Sequence, residues 1–407
     1  MSTANNIFVQ SSVEEQITDL ALYISKLKGE EGENEAPYVQ HIKAILASDK
    51  KDTVFTEIAK DASIFLTEND RADVEGAFNL LLVIILGSAQ GQLSTAVQAL
   101  VETLTKTESN KTGLKQKILL NLYNALPGNS PLRYNAFVGL VEVTAQADEL
   151  DSLYDQLEHI DAWSTKWGLD QSTQRELYNY LFEVLTKAGE DKLAFNFLLK
   201  KLTTFAENDK ESTVLAKDIV LRAVSMENYY AFEDLLQYKA IQNLKGTDEY
   251  ELLDVFLNGT LASYQSFASS HSNLIQHPEN NIHKMRLLSL ASLGSENLSR
   301  ELKYADIANS LQIPEEEVEM WVIDVIRAGL VEAKLDQLNK TVIVHRSIYR
   351  VFGPEQWKKL STTLSTWKEN LNEILTVVGN AKLIAGGALQ GGAASAIIVE
   401  GDAKVTN

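Results

Sequence analysis

The sequence predicts a mainly α protein: an irregular α-solenoid of helical hairpins, followed by a winged helix and one long C-terminal helix. Three observations carry that prediction. Apolar residues recur at helical spacing over roughly 300 residues, with short polar turns between the stripes. Between Lys284 and Arg346 come an apolar helix, two further helices split by a proline turn, and two short segments whose period falls to two. From Gly353 onward the apolar residues alternate at steps of three and four, the pattern of a helix that needs a partner surface.

In the first region Val13, Ile17, Leu20, Ile24 and Leu27 share one helical face, as do Leu114, Ile118, Leu122 and Ala125, and then Leu177, Leu181, Val184 and Leu185. The turn Ala188-Gly189-Glu190-Asp191 leads from the last of these into Ala194, Phe197, Leu198, Leu202 and Phe205, so consecutive helices are expected to pack antiparallel. All six prolines (Pro37, Pro127, Pro131, Pro278, Pro314 and Pro354) lie between stripes, as a helical array requires. No fixed repeat period is visible, so the array is expected to be irregular, with about 14 to 18 helices before the winged helix. Trp163 and Trp167 are read as core between helices, and Trp321 as core of the winged helix.

In the winged helix, Tyr304, Ile307, Ala308 and Leu311 form one helical face. The third helix is expected from Pro314 to Gly329, with Val318, Trp321, Val322, Val325 and Ile326 on its apolar side. Pro314 suits a first helical position, and Glu315, Glu316 and Glu317 suit a first turn, where the helix dipole favours anions. Val331, Ala333 and Leu335 then alternate with Glu332, Lys334 and Asp336, a polar turn comes at 337–340, and 341–345 supply the second strand of a wing.

Charge argues about partners. The chain has 407 residues, 45% of them apolar, a formal net charge of -19 and no cysteine. The acidic balance disfavours diffuse attraction to nucleic acid or anionic lipid, and the lack of thiols excludes disulfides, thiolate zinc sites and a cysteine nucleophile. The N-terminus has neither a basic segment nor an apolar run after it, so a secretory signal is not expected, and the apolar run Phe78 to Leu86 is too short to span a membrane. From Tyr304 to Leu330 six acidic residues face one arginine, so the helix that would enter a DNA groove has the wrong sign. From Val331 to Leu360 the balance turns to six basic against three acidic, and Lys334, Lys340, Arg346 and Arg350 are candidate phosphate contacts on an otherwise solvated rim.

Catalytic chemistry is not spelled out. The histidines His41, His159, His271, His277, His283 and His345 form no metal-binding pair at helical spacing; the six-residue interval of His271, His277 and His283 does not align side chains on one face. The glycines lack the setting of a phosphate loop or a dinucleotide site, and with 56 acidic residues no carboxylate pair stands out as an acid/base dyad. No cofactor and no enzyme activity are expected.

The last helix carries Trp357, Leu360, Leu364, Trp367, Leu371, Ile374 and Val378 as an a/d seam with mostly polar residues between. Two tryptophans in the seam favour packing against a partner over folding back on the same chain. After Gly379 the chain becomes rich in glycine and small residues and is read as a flexible tail.

A helical solenoid, a winged helix and a terminal helix in that order resemble the PCI family shared by the proteasome lid, the signalosome and translation initiation factor 3. Several segments resemble, within it, the M-subunit family of eukaryotic initiation factor 3. They are Lys284-Met285-Arg286-Leu287-Leu288-Ser289-Leu290, Val322-Ile323-Asp324-Val325-Ile326-Arg327, Ala333-Lys334-Leu335-Asp336-Gln337, Phe352-Gly353 through Gln356-Trp357, and Thr366-Trp367-Lys368-Glu369-Asn370-Leu371-Asn372. The likeness is strongest from Asp161 to Ile374. It divides the chain into N-terminal helical repeats (1–160), the helical part of the PCI domain (161–283), the winged helix (284–352), a bundle helix (353–379) and the tail (380–407).

The resemblance implies a non-catalytic, cytoplasmic scaffold subunit of initiation factor 3 that supports 43S preinitiation-complex assembly and mRNA recruitment to the small ribosomal subunit. Its implied partners are PCI and MPN subunits of that factor, with no membrane, no DNA and little or no direct RNA contact. Winged helices of the family join edge to edge, which nominates Val331, Ala333, Leu335, Val342 and Val344; the terminal helix joins a shared bundle, which nominates the seam. A PCI subunit of the signalosome or proteasome lid is the nearest alternative, and an RNA-binding winged helix is the alternative of a different kind.

Overall fold

The computed structural model describes residues 12–389, apart from 31, 33–34, 48–51, 69–70, 207–208 and 298. The helices come first as α1 (Val13–Leu27), α2 (Pro37–Leu46), α3 (Asp52–Asp61), α4 (Arg71–Leu86), α5 (Gln90–Lys106), α6 (Thr112–Ala125) and α7 (Leu132–Gln146). Next are α8 (Tyr154–Glu158), α9 (Ile160–Lys166), α10 (Gln171–Lys187), α11 (Asp191–Thr203), α12 (Lys210–Ser225), α13 (Phe232–Leu235), α14 (Lys239–Gln242), α15 (Asp248–Asn258) and α16 (Leu261–Ser270). The remainder is α17 (Pro278–Glu296), β1 (Glu301–Lys303), α18 (Tyr304–Leu311), α19 (Val318–Arg327), β2 (Val331–Asp336), β3 (Thr341–Ser347) and α20 (Pro354–Leu389). The protein is therefore mainly helical, with one small sheet among the described residues, late in the chain.

Two compact units divide it: Met1–Tyr229 with Tyr238–Lys245, and Tyr230–Gln237 with Gly246–Asn407. In the first unit neighbouring helices pack in hairpins, α1 on α2, α6 on α7 and α10 on α11, as the stripes predict. Ser12 caps α1 through a reciprocal box with Glu15, satisfying two of the donors that a helix start leaves open. One apolar core runs from Ile17 to Phe197, across the expected division at 160/161. Trp167 is buried in it and meets Trp163, Tyr123 and Phe137 through tilted and edge-on ring contacts, while Trp163 is half-buried against the same core. Phe78, Leu81, Leu82, Ile84 and Ile85 of α4 are buried, which explains the apolar run, and no helix of the described residues is long and apolar enough to cross a membrane.

The second unit holds the winged helix. Its core joins Leu287, Leu290 and Ala291 of α17 to Ile307 and Leu311 of α18, Val318, Trp321, Val322 and Val325 of α19, and Leu302, Val331, Val342 and Val344 of the sheet. The sheet has three antiparallel strands in the order β1-β3-β2, where the sequence predicts only two. The strand missed is Glu301–Lys303, three residues being too few to display alternation. The third helix is also shorter than expected: Pro314 is extended, Glu315–Glu317 form a 3-10 turn, and the α-helix begins at Val318.

The terminal helix departs from expectation in the other direction. It continues past Gly379 to Leu389, so the expected flexible tail is helical through residue 389, and the rest of that tail lies outside the described residues. Glycine in a helix costs about 1 kcal/mol relative to alanine, which weakens a long helix without ending it.

Candidate protein-binding surfaces

Two parts of the second unit hold the residues that the sequence nominates for binding. The first is the sheet. Leu335 pairs with Val342 and Ala333 with Val344 in the β2–β3 register, and a bulge separates Glu332 from Ala333. Because β3 is the central strand, its backbone is paired on both sides, and the open hydrogen-bonding edges belong to β1 and β2. Val342 and Val344 therefore cannot supply an edge contact. Their side chains, like that of Val331, are buried in the winged-helix core, while Ala333 and Leu335 on β2 are half-buried. Of the five residues nominated, only Ala333 and Leu335 stand on an open edge with partly accessible side chains.

The wing is held in place by polar contacts. Lys340 Nζ donates to Glu315 at 3.0 Å, Gln337 Nε2 to Glu319 at 2.8 Å, and the Tyr304 hydroxyl to the same carboxylate at 3.2 Å. Burial and the nearby Glu319 push the Tyr304 phenol above its ordinary pKa. Asn339 closes the turn on Asp336, and its side-chain donation holds that carboxyl below the usual range.

These contacts bear on the phosphate candidates. Lys340 pairs with Glu315 and Arg346 with Glu332, so two of the four charges are met by carboxylates of the same unit. Lys334 is exposed. Arg350 is misassigned as a surface charge: its Nε donates to Leu288 O at 3.0 Å, Nη1 to Gly259 O at 2.7 Å and Nη2 to Ser289 Oγ at 3.3 Å. Burial lowers this guanidinium to about 10, with Glu296 opposing the shift. A fork that directs a donor from each of its three nitrogens at the protein's own backbone and a serine is turned inward, away from phosphate; it locks the chain just before α20. The sequence offered no cue to this, because an arginine between a strand and a helix reads the same whether it faces water or carbonyls.

The second part is α20. Phe352 N–H donates to Glu233, Gly353 N–H to Gln356, and Phe352 meets Trp357 edge to face at 4.9 Å, fixing where the helix starts. Beyond that anchor every residue from Trp357 to Lys382 is exposed. The seam residues keep much of their surface in water: Trp357 61%, Leu360 40%, Leu364 52%, Trp367 64%, Leu371 46%, Ile374 57% and Val378 53%. A stripe of this size is the kind of patch that marks an interaction site.

The histidines go elsewhere. His271 stacks on Phe267 at 4.4 Å, and His283 lies against Trp321 at 4.9 Å.

Comparison with known proteins agrees with this layout. The PCI domain model matches residues 261–346, and the model of the eIF3 subunit M C-terminal helix matches 350–378, the segment that begins at the Arg350 lock and contains the exposed seam. Relatives named eukaryotic translation initiation factor 3 subunit M span nearly the whole chain. That of Phaeosphaeria nodorum is 33% identical over 92% of this chain and 88% of its own length. That of Dictyostelium discoideum is 31% identical over 92% and 96%, and the human one 28% over 90% and 96%. With its PCI domain, its matching terminal helix and relatives of this coverage, the chain belongs to the family of eukaryotic translation initiation factor 3 subunit M.

Proposed function

We infer that this chain works as a non-catalytic scaffold subunit of translation initiation factor 3 in the cytoplasm, supporting 43S preinitiation-complex assembly and mRNA recruitment to the small ribosomal subunit through protein contacts. The observation that carries the reading is the uncovered seam of α20, which falls within the matched subunit M helix. Its proposed partners are helices of other PCI and MPN subunits, packed as a bundle along Trp357, Leu360, Leu364, Trp367, Leu371, Ile374 and Val378. The open edge of β2 at Ala333 and Leu335 is the second proposed contact, made by strand addition. Two separate contacts on one chain raise avidity by effective concentration. Direct RNA contact contributes little, since Lys340 and Arg346 already face carboxylates and Arg350 is turned inward.

The test is purification of the tagged endogenous protein under gentle salt, with and without Trp367→Asp plus Leu371→Asp. Initiation factor 3 subunits should accompany the unaltered protein, and the double variant should lose them while the helical content of the isolated chain, read by circular dichroism, stays nearly unchanged. Recovery of signalosome or proteasome-lid subunits would overturn the assignment to translation. Loss of helicity in the isolated variant would mean that the seam is internal core.

A further inference from the structure

The outward face of α19 is the surface that a DNA-binding winged helix would place in a groove, and here it is apolar and acidic. Met320 is 53% exposed, Ile323 42% and Ile326 36%, at successive intervals of three residues, so they form one stripe. The wing extends it. Gln337 and Lys340 fasten the β2–β3 turn beside the start of α19 through Glu319 and Glu315, and Leu338 between them is 96% exposed. A leucine held out on a turn braced against Glu319, the residue before Met320, is positioned to be covered along with the stripe.

The charges around the stripe identify what covers it. Glu315 is met by Lys340, Glu319 accepts from Tyr304 and Gln337, and Asp324 has Arg327 at 3.7 Å. Glu316 and Glu317 are both exposed, and their carboxylates take no ion pair or hydrogen bond among the described residues. The stripe therefore ends in uncompensated negative charge, which repels phosphate and attracts ammonium and guanidinium groups.

We propose that the stripe Met320, Ile323 and Ile326, with Leu338, is a third docking surface, which takes a basic amphipathic helix of a partner polypeptide. The partner's apolar residues, spaced at three and four, cover the stripe, and its lysines or arginines meet Glu316 and Glu317. This rests on the reading of the chain as a subunit of a larger assembly, and it adds a surface separate from both the sheet edge and α20.

The experiment places a photo-reactive benzoylphenylalanine at Met320 of the full-length tagged chain, irradiates the purified complex, and maps the crosslink by mass spectrometry. The same probe at Val214, 69% exposed in the first unit, is the control. The Met320 probe should join one polypeptide segment that carries lysine or arginine beside apolar residues at helical spacing. Glu316→Lys with Glu317→Lys should cut that yield by at least about fivefold, as reversal of two complementary charges would. Crosslinks to RNA, to an acidic or uncharged segment, or scattered as at Val214 would overturn the proposal, as would a yield indifferent to the charge reversal. If initiation factor 3 subunits do not co-purify at all, the functional reading fails instead; if they co-purify and the Met320 probe finds no segment, only this surface fails.

Discussion

Helices α10 and α20 are written in nearly the same pattern, yet one is buried and the other is not. In α10, Leu177, Leu181 and Leu185 fall at steps of four and are at most 1% exposed, because α11 returns through a short turn and lies against them. In α20, Leu360 and Leu364 are also four apart and Leu371 continues the seam, but they are 40% to 52% exposed. The amphipathic pattern states that a face is meant to be covered. Whether the cover comes from the same chain depends on the next element: α10 leads through Gly189, in the left-handed region, into α11, which packs back on it, whereas after α20 no described element returns.

The contrast can be broken by experiment, and the largest effect is expected at its buried side. Leu181→Ala removes a fully buried side chain and should destabilise the isolated protein by about 2–5 kcal/mol, read as a shift of the urea midpoint. An intermediate effect is expected where the second unit anchors α20. Arg350→Ala leaves the Gly259 carbonyl without its donor and removes the fork from Leu288 and Ser289, which should cost about 1–3 kcal/mol by the same measurement. If Arg350 were a surface charge, the change would be close to zero. The smallest effect belongs to Leu364→Ala, within about 0.5 kcal/mol in the isolated chain although the same residue type is deleted as at position 181. A loss there comparable to that of Leu181→Ala would mean that α20 is covered by its own chain.

Much of this was legible in the residues. The solenoid stripes, the burial of Trp321, the winged-helix order and the α20 seam all come from periodicity, because a helix repeating every 3.6 residues must put such positions on one side. The errors cluster where periodicity carries no information. Glu301–Lys303 is too short to alternate, and its pairing with β3 turns an apparent two-stranded wing into a three-stranded sheet. That one strand moves β3 from an edge to the centre and so takes Val342 and Val344 off the open edge of the sheet.

The sequence by itself determined the helical class, the acidic character of the stretch from Tyr304 to Leu330 and the existence of an apolar seam in α20, since these depend on local spacing and on charges that neighbours do not alter. Only the tertiary structure decided which strand edges remain open, that Arg350 turns inward to carbonyls, and that the turn carrying Leu338 is fastened to the start of α19. Each of these depends on hydrogen bonds or packing between segments distant in sequence, and that pairing leaves no period for the sequence to display.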